Sequence, residues 1–196
     1  STVAPLRRWA VAVAEAAARR GAKVFLISGP VVLETPAGVE RIDVRTAEEM
    51  YRAVTHKFPE CSIAIFAAAV ADYRPVETAS EKIKRNGEHL TVTFEPTPDI
   101  LANIANRKGE TIVVGFAAET QNVAENARKK LAAKNADLIV ANDVTAEGAG
   151  FDIDTNIVTL FSCDGRDLAL PKLSKSEVAQ RILDEILRLR SVRTSH

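Results

Sequence analysis

In this chain of 196 residues, the side chains best suited to chemistry follow short apolar runs. Residues 66–85 read FAAAVADYRPVETASEKIKR, an alanine-rich strand end, then a turn carrying Asp72, then the cations Lys82, Lys84 and Arg85. The small side chains around Phe66, Ala67 and Ala68 leave backbone N–H groups accessible, and Asp72 is placed to hold a ribose hydroxyl or a hydrated Mg2+. An ordinary strand-to-turn with a solvated aspartate is the plainer alternative. The segment Thr97-Pro98-Asp99-Ile100-Leu101 opens a helix, where free N–H groups and the positive dipole end favour an anion or a nucleobase edge. Asp99 can equally be a first-turn acid that only stabilises that helix. In Gly115-Phe116-Ala117-Ala118-Glu119-Thr120 a strand ends in glycine, an aromatic and small residues, so Phe116 suits a core position or stacking on a base. Lys130 and Lys134 are four residues apart on a helix and share a face. Their repulsion is one that a polyphosphate would reverse, although a solvated basic face is the commoner use of such a pair.

Ligands of open α/β sheets bind at the carboxyl ends of the strands, so these four segments converge on one expectation, a phosphate or nucleotide site. The chain has neither GxGxxG nor GxxxxGK[ST], which speaks against a typical dinucleotide fold and against a P-loop. An NAD(P)-dependent reductase therefore has the sheet pattern without its glycine fingerprint.

Composition sets the frame. A chain that is 46% apolar supplies a core for one domain, expected over residues 1–196, without disulfides or metals. Twenty-six basic residues balance 26 acidic ones, so no global field draws the protein to nucleic acid or to a membrane surface. Cys61 and Cys163 lack the spacing of a metal or redox site and are expected to be reduced. No apolar run reaches the ~18 residues of a membrane span, so a cytoplasmic location is expected.

The elements that must position these residues alternate. Helical spacing runs over residues 4–20 and ends at Gly21; residues 23–27 and 39–44 read as strands. Residues 47–58 form a helix opened by Thr46 with Glu49 as a capping box, followed by a strand at 62–69. A two-faced strand at 89–97 suits a hairpin or flap. Then come a helix from Pro98, in its first turn, to Asn106, a strand at 111–117, a helix at 122–135 and a strand at 137–141. Strands at 156–161 and 167–170 flank an Asp164-Gly165 turn, and a helix at 175–190 buries Val178, Ile182, Ile186 and Leu189 behind the N-cap Ser174. The expected fold is α/β, a Rossmann-like doubly wound three-layer sandwich with a mostly parallel sheet and a small antiparallel hairpin or flap. A βαβ unit needs a strand ahead of the first helix, for which Ser1 to Val3 leave no room, so the domain is expected to start in the middle of its first crossover.

The ordered motifs AAAVADYRP, EKIK, TPDIL, GFAAET and ANDV resemble phosphopantothenoylcysteine synthetase, the CoaB domain of coenzyme A biosynthesis, over about residues 12–189. The resemblance implies a ligase that joins 4′-phosphopantothenate to cysteine with CTP and Mg2+, through an acyl-cytidylate, as a homodimer. It implies that Phe66, Ala67 and Ala68 lie beside CTP and that Asp72 is an acidic nucleotide ligand. Lys82 is implied to reach the reacting phosphate and carboxylate, offsetting the charge of the transition state. Pro98, Asp99, Ile100 and Leu101 are implied to form the nucleotide-binding helix start, Phe116 the aromatic near the nucleotide, and Lys130 and Lys134 the cations on the triphosphate.

Family members begin with a strand, a TAGxTxExID loop and an asparagine-bearing segment, where this chain has STVAPLRRWA. A CTP-binding module without turnover is therefore the alternative. Members are also often fused to a flavin-dependent decarboxylase domain, which is the fusion partner expected in a longer protein.

Overall fold

Apolar runs of four to eight residues bounded by turns are strands, and the longer amphipathic stretches between them are helices; a computed structural model describes residues 4–67, 73–75, 94–143 and 155–194. The first half comprises α1 (Ala4–Arg19), β1 (Val24–Ser28), β2 (Val39–Asp43), α2 (Ala47–Lys57), a 3-10 turn (Phe58–Glu60), β3 (Ile63–Phe66), β4 (Tyr73–Pro75) and β5 (Phe94–Pro96). The second comprises α3 (Ile100–Ala105), β6 (Ile112–Glu119), α4 (Val123–Ala133), β7 (Leu138–Asp143), β8 (Thr155–Asn156), β9 (Val158–Ser162), β10 (Asp167–Ala169), β11 (Leu173–Ser174) and α5 (Lys175–Thr194).

The principal sheet has the order β10-β9-β7-β6-β3, with β3, β6 and β7 parallel and β9 and β10 antiparallel. The fold is thus the expected Rossmann-like α/β type. The antiparallel hairpin β9–β10, however, extends the main sheet instead of standing apart, because β9 pairs with β7 from Leu138↔Ser162 to Asn142↔Val158. Its turn is the one expected, with Gly165 at φ +91. β4 and β5 form a separate antiparallel pair, and β1 and β2 a separate parallel pair.

Period-two alternation divides β6 between two helix layers. Ile112, Val114 and Phe116 join Leu138, Val140 and Trp9 in the core under α1 and α5, where Val178, Ile182, Ile186 and Leu189 are buried as expected. Val113 faces α3 with Ile100 and Ile104, while Ala117, Ile139 and Ala141 face α4.

Two helix starts differ in detail from expectation. Thr46 Oγ1 accepts from the Glu49 N–H as a capping box requires, but the Glu49 carboxylate reaches the N–H of Arg45, one residue before the cap. Pro98 precedes the cap of α3 instead of sitting in its first turn, since Asp99 is itself the N-cap. The reciprocal box is complete at α5, where Ser174 Oγ accepts from the Glu177 N–H and Glu177 accepts from the Ser174 N–H at 2.9 Å.

The amino ends of the strands are held by buried charge. Asp137, 1% exposed, accepts from Lys108 Nζ at 2.7 Å and from the Val113 N–H at 2.8 Å, and it pairs with Arg193. Glu185, 3% exposed, accepts from Ser162 Oγ at 2.7 Å and from Arg188 Nη2 at 2.7 Å. Burial opposes ionisation of Glu185, yet the bonds from Arg188 and Ser162 hold its carboxyl below the usual range. A depressed carboxylate stabilises the fold above its unfolded pKa, about 4.3, and the contribution fades as pH falls through the folded value. Glu185→Ala is expected to cost roughly 3 kcal/mol in chemical denaturation at neutral pH, because Arg188 keeps its charge without this partner. The difference from the parent chain should shrink below about pH 4; a difference that holds constant there would count against the ion pair as its source.

Candidate functional site

The carboxyl ends of β3 and β6 form a crevice whose geometry follows from ladder phase. Ile112 N–H donates to Ser62 O at 3.1 Å, so alternate residues of β6 face β3, and Phe116 directs its carbonyl past the last paired position, Phe66↔Gly115. The Lys130 ammonium, reaching in from α4, donates to that carbonyl at 2.8 Å.

α3 closes the crevice from one face because Gly115 lets it approach. A Cβ on Gly115 would meet Leu101 Cδ2 at 2.9 Å and Ile139 Cδ1 at 3.0 Å. Leu101 and Phe66 pack together against the Ile100–Ile104 cluster in this layer. Asp99 accepts from the Ala102 N–H at 3.0 Å and pairs with Lys134 through its other oxygen. Burial opposes ionisation of Asp99, but the hydrogen bonds from Lys134 and Ala102 and the charge of Lys130 keep its carboxyl below the ordinary range.

Asp99, Leu101, Lys130 and Lys134 thus lie near the carboxyl end of β6, with Phe66 paired to Gly115 beside them, whereas the side chains of Ala67 and Ile100 are buried in the core clusters. The Phe116 ring does not face the crevice: 6% exposed, the side chain packs on Trp9 with centroids 5.9 Å apart, and only its carbonyl faces the site. Of the two uses open to Phe116, the ring takes the core one. The helix start at Asp99 already holds an anion, its own carboxylate. Lys130 and Lys134 share a face as expected, but each has an acceptor in the fold that separates their charges. Ala68, Asp72 and Lys82 lie outside the described residues.

Sequence reasoning missed Asn142, which is 7% exposed near the carboxyl end of β7, its Oδ1 without a hydrogen-bond partner among the described residues. Its signal was an amide at the end of a continuous apolar run. Cys61 and Cys163 are free, and burial pushes both thiols up, so neither is poised as a nucleophile. Among the described residues, no three His, Cys, Asp or Glu side chains converge in a way that would hold a metal. No described helix is long and apolar enough to cross a membrane.

Sheet order and helix layers define a Rossmann-like α/β protein, a fold in which ligands generally bind at the carboxyl ends of the strands. The pattern of the family described as DNA/pantothenate metabolism flavoprotein C-terminal domain matches residues 8–189, and the chain belongs to that family. The coenzyme A biosynthesis bifunctional protein CoaBC of Bacillus subtilis (strain 168) is 51% identical over 179 residues, covering 91% of this chain and 44% of that protein. CoaBC of Escherichia coli (strain K12) is 51% identical over 180 residues, again with 44% of its length covered. The chain thus spans under half the length of the curated relatives it matches. The crystal structure of the C-terminal domain of CoaBC superimposes with a TM-score of 0.78 at 38% identity, covering 96% of this chain and 84% of that one. A Cab2 mutant in complex with phosphopantothenate-cysteine shares the fold, with a TM-score of 0.72 at 15% identity over 95% of this chain and 78% of that one.

Two outcomes check this geometry. Gly115→Val is expected to displace Leu101 and the start of α3 at a cost of about 1–3 kcal/mol, with Gly115→Ala costing less; a neutral Gly115→Val would show that α3 is not held close. By NMR titration, Asp99 should show a midpoint below the reference of about 3.9, its share of stability being lost as pH falls through that midpoint. The midpoint should rise in Lys134→Gln, and an unmoved value would remove Lys134 as the cause.

Proposed function

We propose that the chain catalyses amide formation between 4′-phosphopantothenate and cysteine in coenzyme A biosynthesis, driven by CTP. What supports this reading is the pairing of Lys134 with Asp99 and the approach of Lys130 to the Phe116 carbonyl at the carboxyl end of β6, in a chain 51% identical to coenzyme A biosynthesis bifunctional proteins. In the proposed reaction, the phosphopantothenate carboxylate attacks the α-phosphorus of CTP. Pyrophosphate leaves with the electrons of the broken P–O bond, giving an acyl-cytidylate. The cysteine amine then attacks the acyl carbon and loses a proton as CMP departs.

The residues share this work by position. Phe66, Ala67 and Ala68 present backbone to the nucleotide, Asp72 binds it through its carboxylate, and Pro98 to Leu101 flank it. Lys134 is held by Asp99 in the absence of ligand, and a triphosphate carries enough charge to draw it away. Lys130 neutralises the same phosphates from the Phe116 carbonyl. Lys82 offsets charge developing on the reacting phosphate and carboxylate. The remaining acceleration comes from holding the reactants in line, so no nucleophile from the protein is needed. Mg2+ belongs to this reading as the companion of CTP. The described carboxylates do not form a site for it, so its ligands would be phosphate oxygens, water and a carboxylate such as Asp72. The resemblance also implies a homodimer, which sedimentation tests, and a flavin-dependent decarboxylase domain as fusion partner.

A second reading is CTP binding without turnover. Sustained pyrophosphate release that needs CTP, phosphopantothenate and cysteine together, with amide product formed, would establish the ligase. Calorimetric binding of CTP without phosphopantothenate would establish the module. Lys82→Gln is expected to lower amide formation by about a hundredfold or more while changing CTP affinity less; turnover at the parent rate would sink the role of Lys82. Lys130→Ala combined with Lys134→Ala should weaken CTP more than CMP, and equal losses would place the triphosphate elsewhere.

A further inference from the structure

Where α3 meets α4, one carboxylate occupies both of the groups suited to an anion. Asp99 lies just ahead of α3, and one of its oxygens accepts from the Ala102 N–H at 3.0 Å, which satisfies the helix start. Its other oxygen pairs with the ammonium of Lys134, the C-cap residue of α4 and 35 residues further along the chain. Lys130 lies one turn earlier on the same face of α4 and donates to the Phe116 carbonyl at 2.8 Å. The charge of Lys130 also acts on the Asp99 carboxyl, so a single carboxylate is set against two ammonium groups.

This bridge differs from the ion pairs that hold the amino end of the sheet. Asp137 and Glu185 are buried and each is met by several donors, so neither can give one up without leaving charge unpaired in the interior. Asp99 and Lys134 are both partly exposed, and water can take over either side of their contact. A pair of that kind favours its closed form by a factor of only about two to five. The ammonium sits on a flexible four-carbon stem, so it can move without moving α4. Nor does α3 need the charge of Asp99, because asparagine and serine cap a helix start as well as aspartate does. What the charge adds is the hold on Lys134.

We propose that Asp99 is an internal competitor for the phosphates of the ligand: it holds Lys134 while the crevice is empty, yields it to a phosphate chain lying against Lys130 and Lys134 together, and takes it back as pyrophosphate leaves. Asp99 thereby determines specificity by charge. A ligand with one phosphate can meet Lys130 and leave the bridge closed. A chain of two or three phosphates spans both lysines and offers Lys134 more negative charge than the carboxylate it replaces. Competition weakens every such chain by one common factor, so it lowers the affinity for the triphosphate and for the departing pyrophosphate alike. The identity of the substrate here rests on the nucleotide reading above, whereas the exchange at Lys134 needs only a polyphosphate.

Calorimetry on the 196-residue chain tests this with tripolyphosphate, pyrophosphate, CTP and CMP, at about 50 mM salt so that a partly exposed pair is little screened. Asp99→Asn and Asp99→Ser both keep a capping side chain and both lack the charge. Each is expected to bind tripolyphosphate, pyrophosphate and CTP about two- to fivefold more tightly than the parent chain, with CMP changed less. In a Lys134→Gln background most of that gain should disappear, because a competitor has no effect once the contested ammonium is gone. A gain of the same size in that background would overturn the proposal in favour of general repulsion by Asp99. Unchanged polyphosphate binding in both variants would also overturn it, and weaker binding would do so by making Asp99 a direct ligand contact. The Lys134-dependent gain with tripolyphosphate, but no binding of CTP, would support the exchange and sink the nucleotide reading. No tripolyphosphate binding to the parent or to either variant would overturn the exchange itself.

Discussion

The parallel pairing of β6 between β3 and β7 is the constraint on which the rest of the molecule depends. Residues 112–117 are buried on both faces, so their backbone groups have no water to turn to and must be met by neighbouring strands. That requirement fixes the ladder phase, and the phase decides which residues look into the crevice and which into the core. Phe116 shows both consequences at once, with its ring in the core and its carbonyl at the Lys130 ammonium. Gly115 adds the close approach of α3, and with it the place of Asp99.

The two ends of the sheet use charge differently. At the amino end, Asp137 and Glu185 are almost fully buried and surrounded by donors from Lys108, Arg193, Arg188 and Ser162, an arrangement that fixes their position. At the carboxyl end, the Lys134–Asp99 pair is partly open to solvent, with side chains 34% and 42% exposed, so a more highly charged ligand can compete for it. Rigidity at one edge and exchangeable contacts at the other are what a ligand site at strand ends requires.

The β1–β2 pair connects these points to the outer part of the fold. Its apolar residues are only half-buried, and a cavity lined by residues of β1 and β3 lies between those two strands. Above it, α1 lines the cavity with Ala10 and Val11 and packs on α5 through the Trp9 core.

Much of this was legible in the residues themselves. The alternation of apolar runs with amphipathic stretches specified strand and helix positions to within a few residues, because burial on both faces of a parallel strand demands uninterrupted apolar sequence. Gly21 and Gly165 marked their turns by a backbone conformation that suits glycine. That the described strand-end segments share one edge of the sheet was also legible, since parallel topology alone sends them there. Partnership was not. That Lys134 is taken by Asp99, that Lys130 rests on a carbonyl, that Glu49 reaches past its cap to Arg45, and that β9–β10 join the main sheet all depend on distances between segments far apart in the chain, or on rotamers that local pattern leaves free. The sequence by itself determined the order and kind of elements and the edge at which chemistry can occur; only the tertiary structure decided which charges are spoken for and where the sheet stands open, because those are properties of packing and not of spacing.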